Sequence, residues 1–188
     1  VNILLTGEAF KRFHSNGISM AFNNGSNSYI NLMYPDDVVL ANISHENIHQ
    51  MSSNGVSGIK IDERHRGLNE TFTEYLNKFS LKSDYPKVPY CGYQPMVDRL
   101  ELLLSEGIFT NDDIMSAYFK NDISPIKNRV NELAGSDDYY DTFVKAFQNA
   151  HDKNQYGDLD KCCTDLIIKR DSKRNLDFSE ITLEIPKQ

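Results

Sequence analysis

The residues best suited to metal binding and catalysis are two histidines and a glutamate in the segment His45-Glu46-Asn47-Ile48-His49. In an α-helix, residues four apart lie roughly 40° from one another and one turn up, so both imidazoles can reach one ion. Imidazole nitrogen is a good zinc ligand, and a catalytic zinc has three protein ligands and an open fourth position. Glu46, next to His45, can then act as general base for a water bound at that position.

The sequence offers Glu70 as the third ligand, 21 residues after His49. The intervening segment contains glycines, which allow a second helix to turn back on the first. Glu74 lies one helical turn after Glu70 on the same face, where its carboxylate can accept the free N–H of a ligand histidine and fix the tautomer. These residues predict a zinc site of two imidazoles and one carboxylate, supported by Glu74.

Two helices are needed to position these side chains, and the sequence predicts both. The first is predicted from Pro35-Asp36-Asp37 to about residue 51 or 53, because proline and aspartate are favoured at a helix start. The second is predicted from about residue 67 to about residue 79. Its apolar residues recur at three- and four-residue spacing: Leu68, Phe72, Tyr75, Leu76 and Phe79.

A small β-sheet is predicted before these helices, and further helices after them. Residues 1–5, 17–22 and 29–34 have strand-like patterns, and the turn residues 23–27 predict a hairpin. From residue 95 onward the predicted elements are helices, at 95–106, 111–120, 124–133, 138–151 and 158–169. The predicted fold class is α+β, with a catalytic subdomain over residues 1–92 and a helical C-terminal subdomain with a polar tail over residues 93–188.

Composition disfavours several classes of partner. The chain carries 27 acidic and 20 basic residues, a net charge of −7, which disfavours nucleic acid and anionic membrane surfaces. No segment approaches the ~18 consecutive apolar residues of a transmembrane helix. With 39% hydrophobic residues the chain has enough apolar material for a core of its own. The sequence does not specify the oligomeric state.

The cysteines indicate neither a zinc site nor a disulfide framework. Their number is odd, Cys162 and Cys163 are adjacent, and no C-x-x-C spacing occurs. Free thiols are the favoured interpretation, and one bridge from Cys91 to Cys162 or Cys163 stays open.

At the residues of the two predicted helices, the chain resembles the zincin metalloproteases. Among them it is most similar to the gluzincins, the thermolysin-like group whose third ligand is a glutamate. The match to His45-Glu46-x-x-His49 is complete, and the segment Asn69–Glu74 fits the pattern of the family's second helix. The resemblance covers roughly residues 17–80, under half of the chain. It implies a zincin-like fold, a zinc cofactor, Glu70 as ligand and Glu74 as the partner of a zinc-bound histidine.

The resemblance also implies a sheet whose edge strand pairs with the extended substrate. The segment 17–23 matches that strand, and the residues expected to lie along the substrate are Met20, Ala21 and Phe22.

Gluzincins add a tyrosine or histidine that stabilises the oxyanion of the reaction. Tyr93 is the candidate for this catalytic role here, and Tyr90, His65 and His151 stay open as alternatives.

The chain departs from the large gluzincin proteases in being much shorter. It is more similar to minimal or bacterial, extracellular zincin-like domains, which favours an extracellular or bacterial cell-surface location. The helices after residue 95 match no motif of the family.

The leading hypothesis is a zinc metallopeptidase that hydrolyses a peptide or protein substrate through a metal-activated water, with Glu46 as general base. Two alternatives stay open. One is a zincin-fold binding or scaffold domain without proteolysis. The other is a zinc hydrolase of a non-peptide substrate, because an H-E-x-x-H motif specifies a metal and not a substrate.

Overall fold

The computed structural model of the chain describes residues 1–13, 20–23, 27–52, 63–86 and 92–179. The strands are β1 (Asn2–Leu5), β2 (Ala21–Asn23) and β3 (Ser28–Asn31). The helices are α1 (Gly7–Phe13), α2 (Asp36–Met51), α3 (Arg66–Leu81), α4 (Gln94–Ser105), α5 (Asn111–Lys120), α6 (Ser124–Ala134), α7 (Tyr139–Lys153) and α8 (Gly157–Ser179). Short 3-10 turns occur at Glu63–His65 and Lys82–Asp84.

The three strands form one small mixed sheet in the order β1–β3–β2. β1 runs parallel to β3, and β2 pairs with β3 antiparallel, so β2 and β3 form the predicted hairpin. The third strand ends at Asn31, earlier than predicted. The Asn31 side chain accepts a hydrogen bond from the backbone N–H of Met33, an Asx turn that bends the chain towards Pro35. The predicted strand residues 17–19 lie outside the described residues.

Helix α2 begins directly after Pro35, as predicted, with Asp36 and Asp37 in its first turn. Polar side chains fasten it to the sheet. Asn47 accepts a hydrogen bond from Asn2 of β1 at 3.0 Å, and Gln50 donates one to Ser28 of β3 at 2.6 Å. Asn47 lies between the two histidines in the sequence and Gln50 directly follows the second, so these bonds to the sheet help to orient the part of α2 that carries the histidines.

Helix α3 lies between α2 on one side and α4 and α7 on the other. Its first turn packs closely on α7, where the backbone N–H of Gly67 donates a hydrogen bond to the side chain of Gln148. A Cβ at Gly67 would lie 2.3 Å from the carbonyl oxygen of Phe147, so only glycine permits this approach. Further along, the amide of Asn77 donates to the carbonyl of Ala41 in α2, which fixes the second contact.

One hydrophobic core joins α2 and α3 to the later helices. Ile48, Leu68 and Phe72 belong to the same buried cluster as residues of α4 to α8. Residues on both sides of the boundary predicted at residue 92 therefore contribute to one core. The helices predicted after residue 95 are all present within two residues of their predicted bounds, except that α8 continues to Ser179.

These elements give an α+β protein in which helices predominate among the described residues. Helix α1 was not predicted, because its seven residues are too few for a clear helical period. Cys162 and Cys163 are free, buried thiols, and Cys91 lies outside the described residues. Among the helices described, none combines the length and apolar character needed to cross a bilayer. The predicted C-terminal alternation at 181–185 also lies outside the described residues.

Candidate metal centre

Three potential ligand atoms meet between α2 and α3. The two Nε2 atoms of His45 and His49 are 3.2 Å apart, and Oε2 of Glu70 lies 3.4 Å from the first and 3.5 Å from the second. Ligand atoms bound at ~2.0–2.2 Å to a tetrahedral zinc are separated by roughly 3.3–3.6 Å. The three atoms therefore have the spacing of three corners of a tetrahedral zinc site, and the residues fit that ion.

The local sequence explains how this triangle forms. His45 and His49 are one helical turn apart on the buried face of α2, and both are under a tenth exposed. Glu70 lies in the second turn of α3, whose start is fixed against α7 by Gly67. The packing of α3 on α2 brings the carboxylate to the two imidazoles, so the structure brings together all three predicted ligands.

Glu74 forms a hydrogen bond with Nδ1 of His45, the ring nitrogen that faces away from the other two potential ligands. Its Oε2 lies 2.7 Å from Nδ1 of His45, and the carboxylate is buried. The hydroxyl of Tyr85 and the amide of Asn77 both donate to Oε1 of Glu74. Because a carboxylate accepts hydrogen bonds, Nδ1 of His45 carries the proton and Nε2 is left to face Glu70.

The hydroxyl groups of Tyr118 and Thr73 both lie near Nδ1 of His49. The Tyr118 hydroxyl lies 3.2 Å from Nδ1 of His49, and the Thr73 hydroxyl lies 3.4 Å from the same atom. Burial raises the pKa of Tyr118 above its usual range, so this hydroxyl keeps its proton. Tyr118 is on α5, and the sequence did not predict that Tyr118 or Tyr85 would lie at the site. A tyrosine in an amphipathic helix has the pattern of an ordinary core residue, so no sequence signal marked Tyr118.

Glu46 is buried beside the triangle without being part of it, with 7% of its surface exposed. Burial raises the pKa of this carboxyl group, interactions with His45 and His49 lower it, and the charge of Glu70 raises it. Glu46 is thus a buried carboxyl group close to all three potential ligands.

The charges of the site favour a cation. Burial alone would lower the pKa of His45, but hydrogen bonds and charges from Glu70 and Glu74 raise it to about 10. Burial would raise the pKa of Glu70, whereas His45 and His49 hold it well below its usual range. Three carboxylates and two imidazoles thus lie close together, and a bound metal ion would supply the positive charge that otherwise comes from a proton.

Tyr93 and His151 lie in a row of stacked rings that starts at the site. The Tyr93 ring, at the start of α4, stacks against His45 with centroids 6.1 Å apart. The His151 ring, from α7, stacks against Tyr93 at 5.7 Å, and its Nδ1 lies 2.7 Å from Asp152. Of the other oxyanion candidates, His65 is buried against Tyr140, and Tyr90 lies outside the described residues.

The expected substrate strand lies at one edge of the described sheet. Ala21 and Phe22 belong to β2, which pairs with β3 on one side, and the carbonyl of Met20 accepts a hydrogen bond from Asn31. β2 also packs against α2, the helix with the two histidines. An extended segment at this edge would run next to the helix that carries the site.

Comparison of the chain with protein-family models, with curated proteins and with solved structures found no match. The functional argument for this protein therefore depends on the geometry and chemistry of its own residues.

Proposed function

We propose that this protein is a zinc metallopeptidase of the gluzincin type with a zincin-like fold. The observation that supports this most is the near-regular triangle of His45 Nε2, His49 Nε2 and Glu70 Oε2, with Glu74 on Nδ1 of His45. Three protein ligands leave the fourth position of a tetrahedral ion open for water, which is the pattern of catalytic zinc sites.

The buried carboxylate of Glu46 supplies the proton transfer in this proposal. A zinc ion held by His45, His49 and Glu70 would polarise the scissile carbonyl and lower the pKa of a water molecule. Glu46 accepts a proton from the attacking water and then delivers it to the nitrogen of the leaving amine. Burial suits Glu46 to this role, because it raises the pKa of the carboxyl group and so stabilises the protonated state between the two transfers.

Two further parts of the site are assigned by the same proposal. The edge of β2, with Met20, Ala21 and Phe22, holds the substrate backbone in an extended conformation by β-strand addition. Tyr93, stacked on His45 and on His151, donates its hydroxyl to the oxyanion that forms at the scissile carbonyl. The substrate of the proposed enzyme is a peptide or a protein.

The first test measures zinc in the purified protein by elemental analysis, beside His49→Ala and Glu46→Gln. We expect about one zinc per chain in the wild type and in Glu46→Gln, and little in His49→Ala, because only the last variant removes a ligand. Glu132→Gln, an exposed glutamate on α6, is the matched control and should bind zinc like the wild type. Absence of zinc from the wild type after incubation with the metal would overturn the proposal.

The second test follows cleavage of a peptide library by the same proteins. We expect the wild type and Glu132→Gln to cleave peptides in a reaction that a chelator stops, and Glu46→Gln to lose at least ~100-fold in rate while retaining zinc. Full activity of Glu46→Gln would show that Glu46 is not the base. A zinc-loaded wild type that cleaves no peptide would instead favour a scaffold or a hydrolase of another substrate.

A further inference from the structure

A chain of buried hydroxyl groups leads away from His49 into the helical part of the protein. The Tyr118 hydroxyl lies 3.2 Å from Nδ1 of His49 and 2.7 Å from the hydroxyl of Thr73. The Thr73 hydroxyl lies 2.9 Å from the backbone carbonyl of Asn69. Thr73 and Tyr118 are fully buried and His49 is 6% exposed, so these groups depend on each other for hydrogen bonds.

The direction of this chain follows from its last member. The Asn69 carbonyl can only accept, so Thr73 donates its single hydroxyl hydrogen there. Thr73 must then accept from Tyr118, because it has no second hydrogen to give. Tyr118 has donated its own hydrogen and can only accept from His49, which places the proton of that imidazole on Nδ1.

We infer that Tyr118, with Thr73, is a positioning residue that holds His49 in the tautomer whose Nε2 is free to bind metal. The inference depends on the metal site of the proposed function and extends it to α5. The two ligand histidines then have different supports. His45 donates to a carboxylate on α3, and His49 donates to a neutral hydroxyl from a helix far along the chain. A ligand histidine whose second nitrogen has a fixed partner binds its metal more tightly.

Tyr118→Phe tests the inference because it removes one oxygen and keeps the ring that fills the core. The zinc dissociation constant is measured by competition with a chelating dye, in parallel with thermal unfolding of the metal-free protein. We expect zinc binding to weaken roughly 10–100-fold. The matched control is Tyr75→Phe, which removes a hydroxyl that also links α3 to α5 through Asn111 at 2.6 Å but does not contact the site. It should leave the dissociation constant unchanged.

Thr73 gives a second, independent pair of variants. Thr73→Ser keeps the hydroxyl and should retain the wild-type zinc affinity. Thr73→Val removes the acceptor for Tyr118, whose hydrogen then turns to Nδ1 of His49 and favours the tautomer with its proton on Nε2. Zinc binding by Thr73→Val should therefore weaken at least as clearly as zinc binding by Tyr118→Phe.

The outcomes separate this inference from the function on which it rests. Wild-type zinc affinity in both Tyr118→Phe and Thr73→Val would overturn the positioning role and leave the metallopeptidase proposal intact. An equal loss of zinc affinity in Tyr75→Phe would also overturn it, because the effect would then come from packing between α3 and α5. A wild type that binds no zinc would overturn both. If Tyr118→Phe fails to fold, the Thr73 pair decides.

Discussion

At the scale of single residues, the buried Glu74 carboxylate organises one side of the site. It accepts hydrogen bonds from Nδ1 of His45, from the Tyr85 hydroxyl and from the Asn77 amide. A buried carboxylate is costly without such partners, and its charge makes the bound imidazole a stronger electron donor. Glu74 would therefore affect a bound metal ion without touching it, through the histidine that it orients.

Glu74→Gln should weaken zinc binding by roughly 10–100-fold, because the neutral amide keeps the shape of the side chain but removes the charge that supports His45. The measurement is the zinc dissociation constant from dye competition. Glu101→Gln is a suitable control, since Glu101 pairs with Lys78 on the outer side of α3 and should not affect the metal. Unchanged affinity in Glu74→Gln would contradict the supporting role of the carboxylate.

At the scale of elements, the position of α3 decides whether the third ligand reaches the other two. Its first turn is held against α7 by the hydrogen bond from Gly67 to Gln148, and Glu70 follows within one turn. α2 is held separately by its hydrogen bonds to the sheet through Asn47 and Gln50. The candidate metal site lies where α2, which is anchored on the sheet, packs against α3, which is anchored on α7.

Gly67→Ala should destabilise the fold by about 1–3 kcal/mol, because the added methyl group has no room beside the Phe147 carbonyl and α3 must move away from α7. Urea unfolding of the metal-free protein measures the change. Gly157→Ala, at the start of α8, is the control, since a Cβ there meets no atom within 4 Å. Equal stability of the two variants would show that α3 and α7 are not closely packed at this point.

Displacement of α3 should also weaken zinc binding in Gly67→Ala, because Glu70 would be shifted relative to the two histidines. A zinc dissociation constant equal to that of the wild type would mean that α2 and α3 move as one unit.

At the scale of the whole molecule, the helices after residue 92 surround a site whose proposed ligands all precede it. α5 contributes Tyr118, Tyr93 directly before α4 lies against His45, and α7 contributes His151. These helices share their core with α2 and α3, so we expect folding of the later part of the chain to be coupled to formation of the candidate metal site.

Zinc should raise the unfolding temperature of the whole protein, and the increase should be larger at pH 8 than at pH 6. In the metal-free protein the pKa of His45 is raised from 6.5 to about 10. The interactions of protonated His45 with Glu70 and Glu74 stabilise the metal-free fold fully below about pH 6.5. This stabilisation declines as the pH rises towards 10. Zinc must displace a proton from His45 in order to bind, and this displacement is less favourable at low pH.

Calorimetry or a thermal-shift assay with and without zinc measures this difference, and Glu132→Gln again serves as the control for a general change in charge. A zinc-dependent increase in unfolding temperature that is the same at pH 6 and pH 8 would contradict competition between the metal and the proton of His45.

The sequence alone determined the local part of the site. His45 and His49 lie one turn apart on one helix, and Glu70 and Glu74 lie one turn apart on another, because helical periodicity puts residues four apart on one face. The start of α2 at Pro35 and the helices after residue 95 followed from equally local signals of capping and apolar spacing.

Only the tertiary structure decided which distant side chains support those residues. Tyr118 is 69 residues from His49 and Tyr85 is 11 from Glu74. Nothing in the neighbouring sequence distinguishes a tyrosine that contacts the candidate site from one that fills a core. Tyr93 is one of several oxyanion candidates in the sequence, and the structure places its ring against His45. The physical reason is that local spacing fixes the face on which a side chain lies, whereas its partner depends on how α3, α4, α5 and α7 pack around a shared core.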